Sequence, residues 1–260
     1  HWDKLRQLTP PDGHSHKEWW LVTKLQRQKN ARQLLGFKTI AGGQFHYTLP
    51  DKVLAALHDI DSRARGQLAV SDRVANTEDR NRYVVSSLIE EAITSSQLEG
   101  AATTRKDAVD LLRSGRAPRD HGERMILNNY KAMQHIRELG EEELTPESVL
   151  RLHKIVSADT LDNPEAAGRL QGAKDERVHI ADERDNTILY RPPPASELPG
   201  RLQTLCDFAN QSLKQEAFIH PVLRAIILHF MLAYDHPFED GNGRTARALF
   251  YWAMLRQAYW

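Results

Sequence analysis

Residues 217–256 read AFIHPVLRAIILHFMLAYDHPFEDGNGRTARALFYWAMLR, and three textures follow one another in them. His220-Pro221 opens a helix, because proline is tolerated in a first turn. Val222, Leu223, Ile226, Ile227, Phe230, Met231 and Tyr234 are apolar nearly all round, which predicts a helix buried at the centre of a domain. A polar loop, residues 235–247, carries Asp240-Gly241-Asn242-Gly243. A second apolar series begins at Ala248, Leu249, Trp252 and Leu255. Buried helix, polar loop, second helix is the expected order.

The loop has the makings of an anion site. Glycines at 241 and 243 let backbone N–H groups point freely at a ligand. The first N–H groups of a helix lack internal partners, and the helix dipole adds partial positive charge. Together they make a phosphate cradle. Arg244 and Arg247 are three apart, so they project from neighbouring positions of the first turn. Each guanidinium can bind a phosphate bidentately. Asp240 is placed to hold Mg²⁺, which prefers carboxylate and phosphate oxygens. His236 stands at the loop entrance, and imidazole is the usual general base near neutral pH. Taken singly, each of these residues is more often structural; their co-occurrence within twelve residues is what carries the reading. Neither a P-loop nor a G-x-G-x-x-G fingerprint occurs.

Residues 236–247 resemble the Fic motif, His-x-Phe-x-(Asp/Glu)-Gly-Asn-Gly-Arg-x-x-Arg, at every defined position. Far upstream, Ser95-Ser96-Gln97-Leu98-Glu99-Gly100 resembles the inhibitory pattern of that family, (Ser/Thr)-x-x-x-Glu-(Gly/Asn). The resemblance implies a protein adenylyltransferase with an N-terminal inhibitory helix, moving AMP from ATP onto a Ser, Thr or Tyr hydroxyl. It implies His236 as catalytic base and Phe238 as a core anchor for the loop. Asp240 is implied to ligate Mg²⁺ between the α- and β-phosphates. Gly241, Asn242 and Gly243 would hold the phosphates, Arg244 the β-phosphate region and Arg247 the γ-phosphate. Ser95, Glu99 and Gly100 form the inhibitory element, with Glu99 pairing with Arg247 and displacing the γ-phosphate. The segment 177–190 resembles the flap that aligns a target protein by strand addition. The intact Gly243 favours AMP over other transferred groups. Asp235 departs from the apolar residue usual before the histidine; it either bonds to His236 or is exposed. Removal of AMP on the same site, with Glu99 positioning a water, and a nucleotide-binding regulatory module without transfer are the alternatives.

The rest of the chain fits a mostly α protein. Leu54, Leu57 and Ile60 follow a helical period, as do Val85 to Ile93, Val109 to Leu112, and Met125 to Met133. Thr145-Pro146-Glu147-Ser148 caps another helix. Two stretches break the period: residues 36–49 around Gly42-Gly43, and residues 177–190, where Val178 and Ile180, then Ile188 and Tyr190, alternate about a polar turn. Both predict hairpins. The expected architecture is a helical Fic-type core with a β-hairpin flap. Its expected divisions are an N-terminal region (1–79), an inhibitory helix region (80–118) and a catalytic domain (119–260).

The 260 residues include 35 basic and 35 acidic side chains. Such a balance gives no electrostatic reason to expect nucleic acid or an anionic membrane as partner. Cys206, the one cysteine, excludes an internal disulfide framework and predicts a buried small apolar residue. No apolar run is long enough to span a bilayer, and no export signal opens the chain, so a cytoplasmic location is the expectation. A His at the first position and an end at Trp260 suggest a trimmed chain. Self-modification and a homodimer stay open.

Overall fold

The computed structural model describes residues 2–64, 77–140, 142–175, 177, 180–181, 188–211 and 218–259. Ten helices and two small hairpins occur among them. In chain order these are α1 (Trp2–Leu5), α2 (His16–Lys29), β1 (Arg32–Lys38), β2 (Gln44–Tyr47), α3 (Asp51–Ala64) and α4 (Thr77–Leu98). Then come α5 (Arg105–Ser114), α6 (His121–Leu139), α7 (Pro146–Ser157), β3 (Ile180–Ala181), β4 (Ile188–Tyr190), α8 (Leu198–Ala209), α9 (Pro221–Asp235) and α10 (Asn242–Arg256).

Helices α2, α5, α6, α7 and α9 begin at side-chain caps. Thr145 accepts from the Ser148 N–H, with Pro146 in the first turn of α7. Such caps satisfy N–H groups that the helix cannot. His220 caps α9, its ring nitrogen accepting from the Val222 N–H. Gly115 ends α5 in the left-handed region, at φ 68°.

Helices α6 to α10 and β1 share one core. It includes Met133, Val149, Leu152, Val156, Leu205, Phe208, Leu228, Met231, Phe238, Leu249 and Trp252. Cys206 lies in it, and burial pushes its thiol up to about 12. A second cluster, Ile89, Ile93, Ala108 and Ile126, joins α4, α5 and α6. This is the joint that carries residues 95–100 up to α10.

The N-terminal hairpin is antiparallel, with Leu34 opposite Phe45. It starts at Arg32, ahead of the expected residue 36. Its apolar face packs on the helical core: Phe37 meets Phe208 edge-on at 5.1 Å, and Phe45 meets Tyr234 at 5.0 Å. Helix α3 docks through Leu57 on Val222 and Tyr259. Hence residues 32–64 pack directly on the helices of the C-terminal half.

The flap hairpin pairs Ile180 with Tyr190 and Ala181 with Ile188. Its expected polar turn, residues 182–186, and Val178 lie outside the described residues.

One expectation is corrected. Helix α9 is not buried all round, since Ile226 and Phe230 are each 48 % exposed. The helix meets α10 and α8 on its other faces, while on this flank Phe45 of β2 meets Phe230 edge-on at 6.0 Å and Ile226 lines an open cavity with Thr94 and Leu98 of α4. No helix among the described residues is long and apolar enough to cross a membrane.

Candidate active site

The loop between α9 and α10 is braced from inside. Phe238 is fully buried. The Asn242 amide clasps its backbone, Oδ1 accepting from the Phe238 N–H at 3.0 Å and Nδ2 donating to its carbonyl at 2.8 Å. The Asn242 side chain is therefore occupied within the loop and differs from the expectation that it would hold a phosphate. Gly241, at φ +76°, takes the left-handed turn into that helix.

A residue that sequence reasoning passed over completes the brace. His153 of α7 is fully buried and stacks on Phe238, with ring centroids 3.7 Å apart and planes 3° from parallel. The Gly168 N–H donates to its Nδ1 at 2.9 Å, so Nε2 carries the proton and donates to the Asp240 carbonyl at 2.9 Å. Burial holds its pKa down to about 4, so the ring is neutral. The available signal was a histidine on the apolar face formed by Val149, Leu152 and Val156.

The linkage has a definite sign. A histidine whose folded pKa is depressed lets the unfolded chain take up more protons below about pH 6.5. Its contribution to stability is therefore present above that pH and is lost as pH falls towards 4. His153→Ala should lower unfolding free energy by about 2–5 kcal/mol, from the lost stack and two unmade hydrogen bonds. The variant should also lose less stability than the parent between pH 6.5 and 4. Urea unfolding across that window measures both.

His236 is the last cap of α9, in the left-handed region at φ 47°, ψ 56°. Its N–H donates to the Leu232 carbonyl at 2.9 Å. Its Nδ1 lies 3.4 Å from the Ala233 carbonyl, which favours the Nδ1–H tautomer and leaves Nε2 as the acceptor. Burial lowers its pKa, so it is neutral near pH 7 and able to take a proton.

Asp235 matches neither expected alternative. It is 5 % exposed and pairs with Arg201 of α8 at 3.1 Å. Arg201 also donates to the Lys38 carbonyl at 2.9 Å, tying β1 to the loop. Burial outweighs the Arg201 charge and raises the Asp235 carboxyl to about 6. The end of α9 faces α8 and β1 here, so its carboxylate turns away from His236.

The two arginines part company. Arg247 stays within reach of a ligand, at 18 % side-chain exposure. Arg244 turns inward, 2 % exposed, and donates to the Val156 carbonyl at 2.9 Å, Thr160 Oγ1 at 3.0 Å and Asp240 Oδ2 at 3.0 Å. The expectation of two guanidinium groups side by side over the cradle is thus corrected. Positions i and i+3 are about 60° apart round a helix, and here that angle separates the face towards α7 from the open side. Asp240 itself is exposed, with 59 % side-chain accessibility.

Helix α4 delivers its end to Arg247. Ser95 accepts from Arg247 Nε through Oγ at 2.7 Å, and from Nη2 through its carbonyl at 3.1 Å. Arg247 Nη2 also meets Glu99 Oε1 at 2.7 Å. Gly100, at φ +91°, turns the chain back so that the Ala101 N–H reaches the Ser96 carbonyl at 3.0 Å. The buried Ser96 hydroxyl, held by Asn129 Nδ2 at 2.7 Å, locks this turn against α6. The Glu99 carboxylate lies directly over the cradle: a Cβ added at Gly243 would collide with it and stand 3.2 Å from Arg247 Nη1.

The sequence profile of the Fic/DOC family matches residues 143–254. Residues 143–254 carry the likeness to a Fic domain. The chain is similar to "Protein adenylyltransferase Fic" of Nematostella vectensis, 29 % identical over 118 residues, which cover 45 % of this chain and 24 % of that protein. It is also similar to "Protein adenylyltransferase fic-1" of Caenorhabditis elegans, 27 % identical over 147 residues, covering 56 % of this chain and 26 % of that one. The chain spans about a quarter of the length of these curated relatives. In fold, it resembles a Fic-domain-containing signalling protein of Bacteroides thetaiotaomicron, with TM-score 0.64, 20 % identity, and coverage of 79 % and 73 % of the two chains. Fic-1 of C. elegans follows, with TM-score 0.61, 23 % identity, and coverage of 80 % and 58 %. The helical Fic fold with its hairpin flap is thereby established for this chain. His236, Asp240 and the α10 N-terminus lie inside the matched segment, whereas Ser95, Glu99 and Gly100 lie outside it.

Proposed function

We propose that this protein is an adenylyltransferase that moves AMP from ATP to a Ser, Thr or Tyr hydroxyl of a protein, and that Glu99 restrains it. The observation that carries the reading is the Glu99 carboxylate seated over Gly243 and on Arg247. A built-in anion occupies the place where an anionic ligand would meet the helix N-terminus. A neutral imidazole with a free Nε2 stands at the entrance of the same loop.

In this reading the target hydroxyl attacks the α-phosphorus, its O–P bond forms, and pyrophosphate leaves with the bond it breaks. His236 Nε2 takes the hydroxyl proton. The N–H groups of α10 and the Arg247 guanidinium orient the phosphates and neutralise their charge. Arg244 acts from inside, holding Asp240 and the first turn. The flap strand β4 supplies backbone for pairing with the target.

The donor set suits Mg²⁺. Among the described residues no group of three or more His, Cys, Asp or Glu side chains forms a cage. One exposed carboxylate, Asp240, fits an ion that takes a carboxylate or two and fills its other positions with phosphate oxygens and water. Mg²⁺ held there would neutralise phosphate charge.

The chemistry is tested with the chain and its Glu99→Gly variant, each incubated with Mg²⁺, cell lysate and ATP labelled at either the α- or the γ-phosphate. Covalent label from α-labelled ATP alone supports AMP transfer. Label from γ-labelled ATP makes it a kinase, and absence of both rejects transfer.

A further inference from the structure

Arg177 stands at the base of the flap, between the Fic core and β3. Its guanidinium Nε donates to the Pro193 carbonyl at 3.0 Å, Nη1 to the His236 carbonyl at 2.8 Å, and Nη2 to the Asp235 carbonyl at 2.9 Å. It also donates to the Gln171 side chain. Two of these acceptors belong to the end of α9, whose last carbonyls have no partner within the helix. A cation there also meets the negative end of the helix dipole. Pro193 follows β4. One rigid fork therefore ties both feet of the flap, residues 177 and 193, to the backbone of the residue that carries the imidazole.

We infer that Arg177 is a positioning residue of the transfer reaction, holding the left-handed His236 in place and coupling it to the flap. The inference rests on the transferase reading above. Left-handed backbone is strained for a side chain other than Gly or Asn, so something must over-determine it. The cap bond to Leu232 and the Arg177 fork do so from opposite sides. Tyr190 supports the same corner, donating to the Tyr234 carbonyl at 2.6 Å. The phosphate cradle is built separately, from Gly241, the first turn of α10 and their brace on His153. Loss of Arg177 should therefore affect alignment of the base and leave ATP binding alone. Lysine cannot replace it, since a single ammonium does not span three carbonyls in a plane.

Charge gives a second signature. The groups facing His236 are Arg177 from the flap base, Asp240 from its own loop and Glu99 from the α4 end. Its neighbour Asp235 is engaged by Arg201. Arg177 is the cation of this set, and it opposes protonation of the ring.

The test places Arg177→Met, Arg177→Gln and Arg177→Lys in the Glu99→Gly background. AMP incorporation into lysate proteins gives kcat and the KM for ATP. ATP affinity is measured by calorimetry, and the His236 ring is titrated by NMR. We expect kcat to fall about tenfold or more in all three, the worth of one charge-assisted hydrogen bond. ATP affinity should stay within about twofold on the same reasoning. His236 should titrate at higher pH in Arg177→Met and Arg177→Gln, and near the parental pH in Arg177→Lys. An unchanged kcat, a loss confined to ATP affinity, or an unshifted titration in both neutral variants overturns the inference. If the Glu99→Gly parent transfers no AMP, the transferase reading fails on its own, and the titration still decides whether Arg177 governs His236.

Discussion

Replacing Glu99 by Gly raises AMP incorporation by about 10–150-fold over the unaltered chain. That range corresponds to the ~1.5–3 kcal/mol of one hydrogen bond between charged groups, removed from the ground state of the inhibited form. The physical argument is a competition for one guanidinium. Arg247 is held by Ser95 and by the Glu99 carboxylate at 2.7 Å, and that carboxylate also covers Gly243. A triphosphate must displace a like charge from both places. The contact with Ser95 remains when Glu99 is removed, so Arg247 keeps its direction and gains a free edge for phosphate. Position 99 lies just past the end of α4, where glycine costs little. Label transfer from α-labelled ATP at saturating concentration measures the gain. Glu99→Gln separates charge from shape: an amide keeps the volume over Gly243, so its activity should lie between the two. Equal activity of all three forms removes Glu99 from any regulatory role. Loss of AMP from a labelled target in the parent, and not in Glu99→Gly, would support the reverse reaction on the same site.

The two helix ends that meet at Arg247 were legible because both are written in local spacing. Gly241, Gly243 and the apolar series after them announce a helix N-terminus, and Ser95 to Gly100 announces a helix end. That these two ends meet depends on α4 packing against α6, through Ile89, Ile93 and Ile126, and no spacing encodes that packing. The same limit explains the misplacements. Asp235 pairs with Arg201, 34 residues away. Arg244 reaches the Val156 carbonyl across 88 residues. Both partners are set by which helix faces which, and the short motif is silent on that. Arg244 is instructive, because two arginines at i and i+3 look alike in sequence. One became an internal tie and the other stayed at the surface of the site. The supporting pair, His153 and Arg177, shares a feature: each is a polar side chain on a buried or half-buried face, serving backbone groups of another segment. Buried polar groups demand partners, so a polar residue on an apolar face is a usable flag even when its partner is unknown.

Replacing His236 lowers AMP transfer by about 10²–10⁴-fold, the usual worth of a positioned general base. The difficulty is that position 236 also has a structural duty, so a simple truncation confounds two losses. His236 sits at φ 47°, where an alanine is strained by roughly 1 kcal/mol and asparagine or glycine is more at ease. His236→Ala could thus lose activity by letting the loop relax. His236→Asn removes the base and tolerates the backbone, so it isolates the chemistry. In the Glu99→Gly background, both variants should lose transfer to a similar extent, with ATP affinity and unfolding temperature of the Asn form close to the parent. The cradle predicts that retention, since Phe238, Asn242 and His153 hold the loop without help from the imidazole. Retained transfer in His236→Asn would show that another group takes the proton. A collapse of ATP binding in the same variant would show that His236 holds the loop itself, and would move the base's contribution from chemistry to architecture.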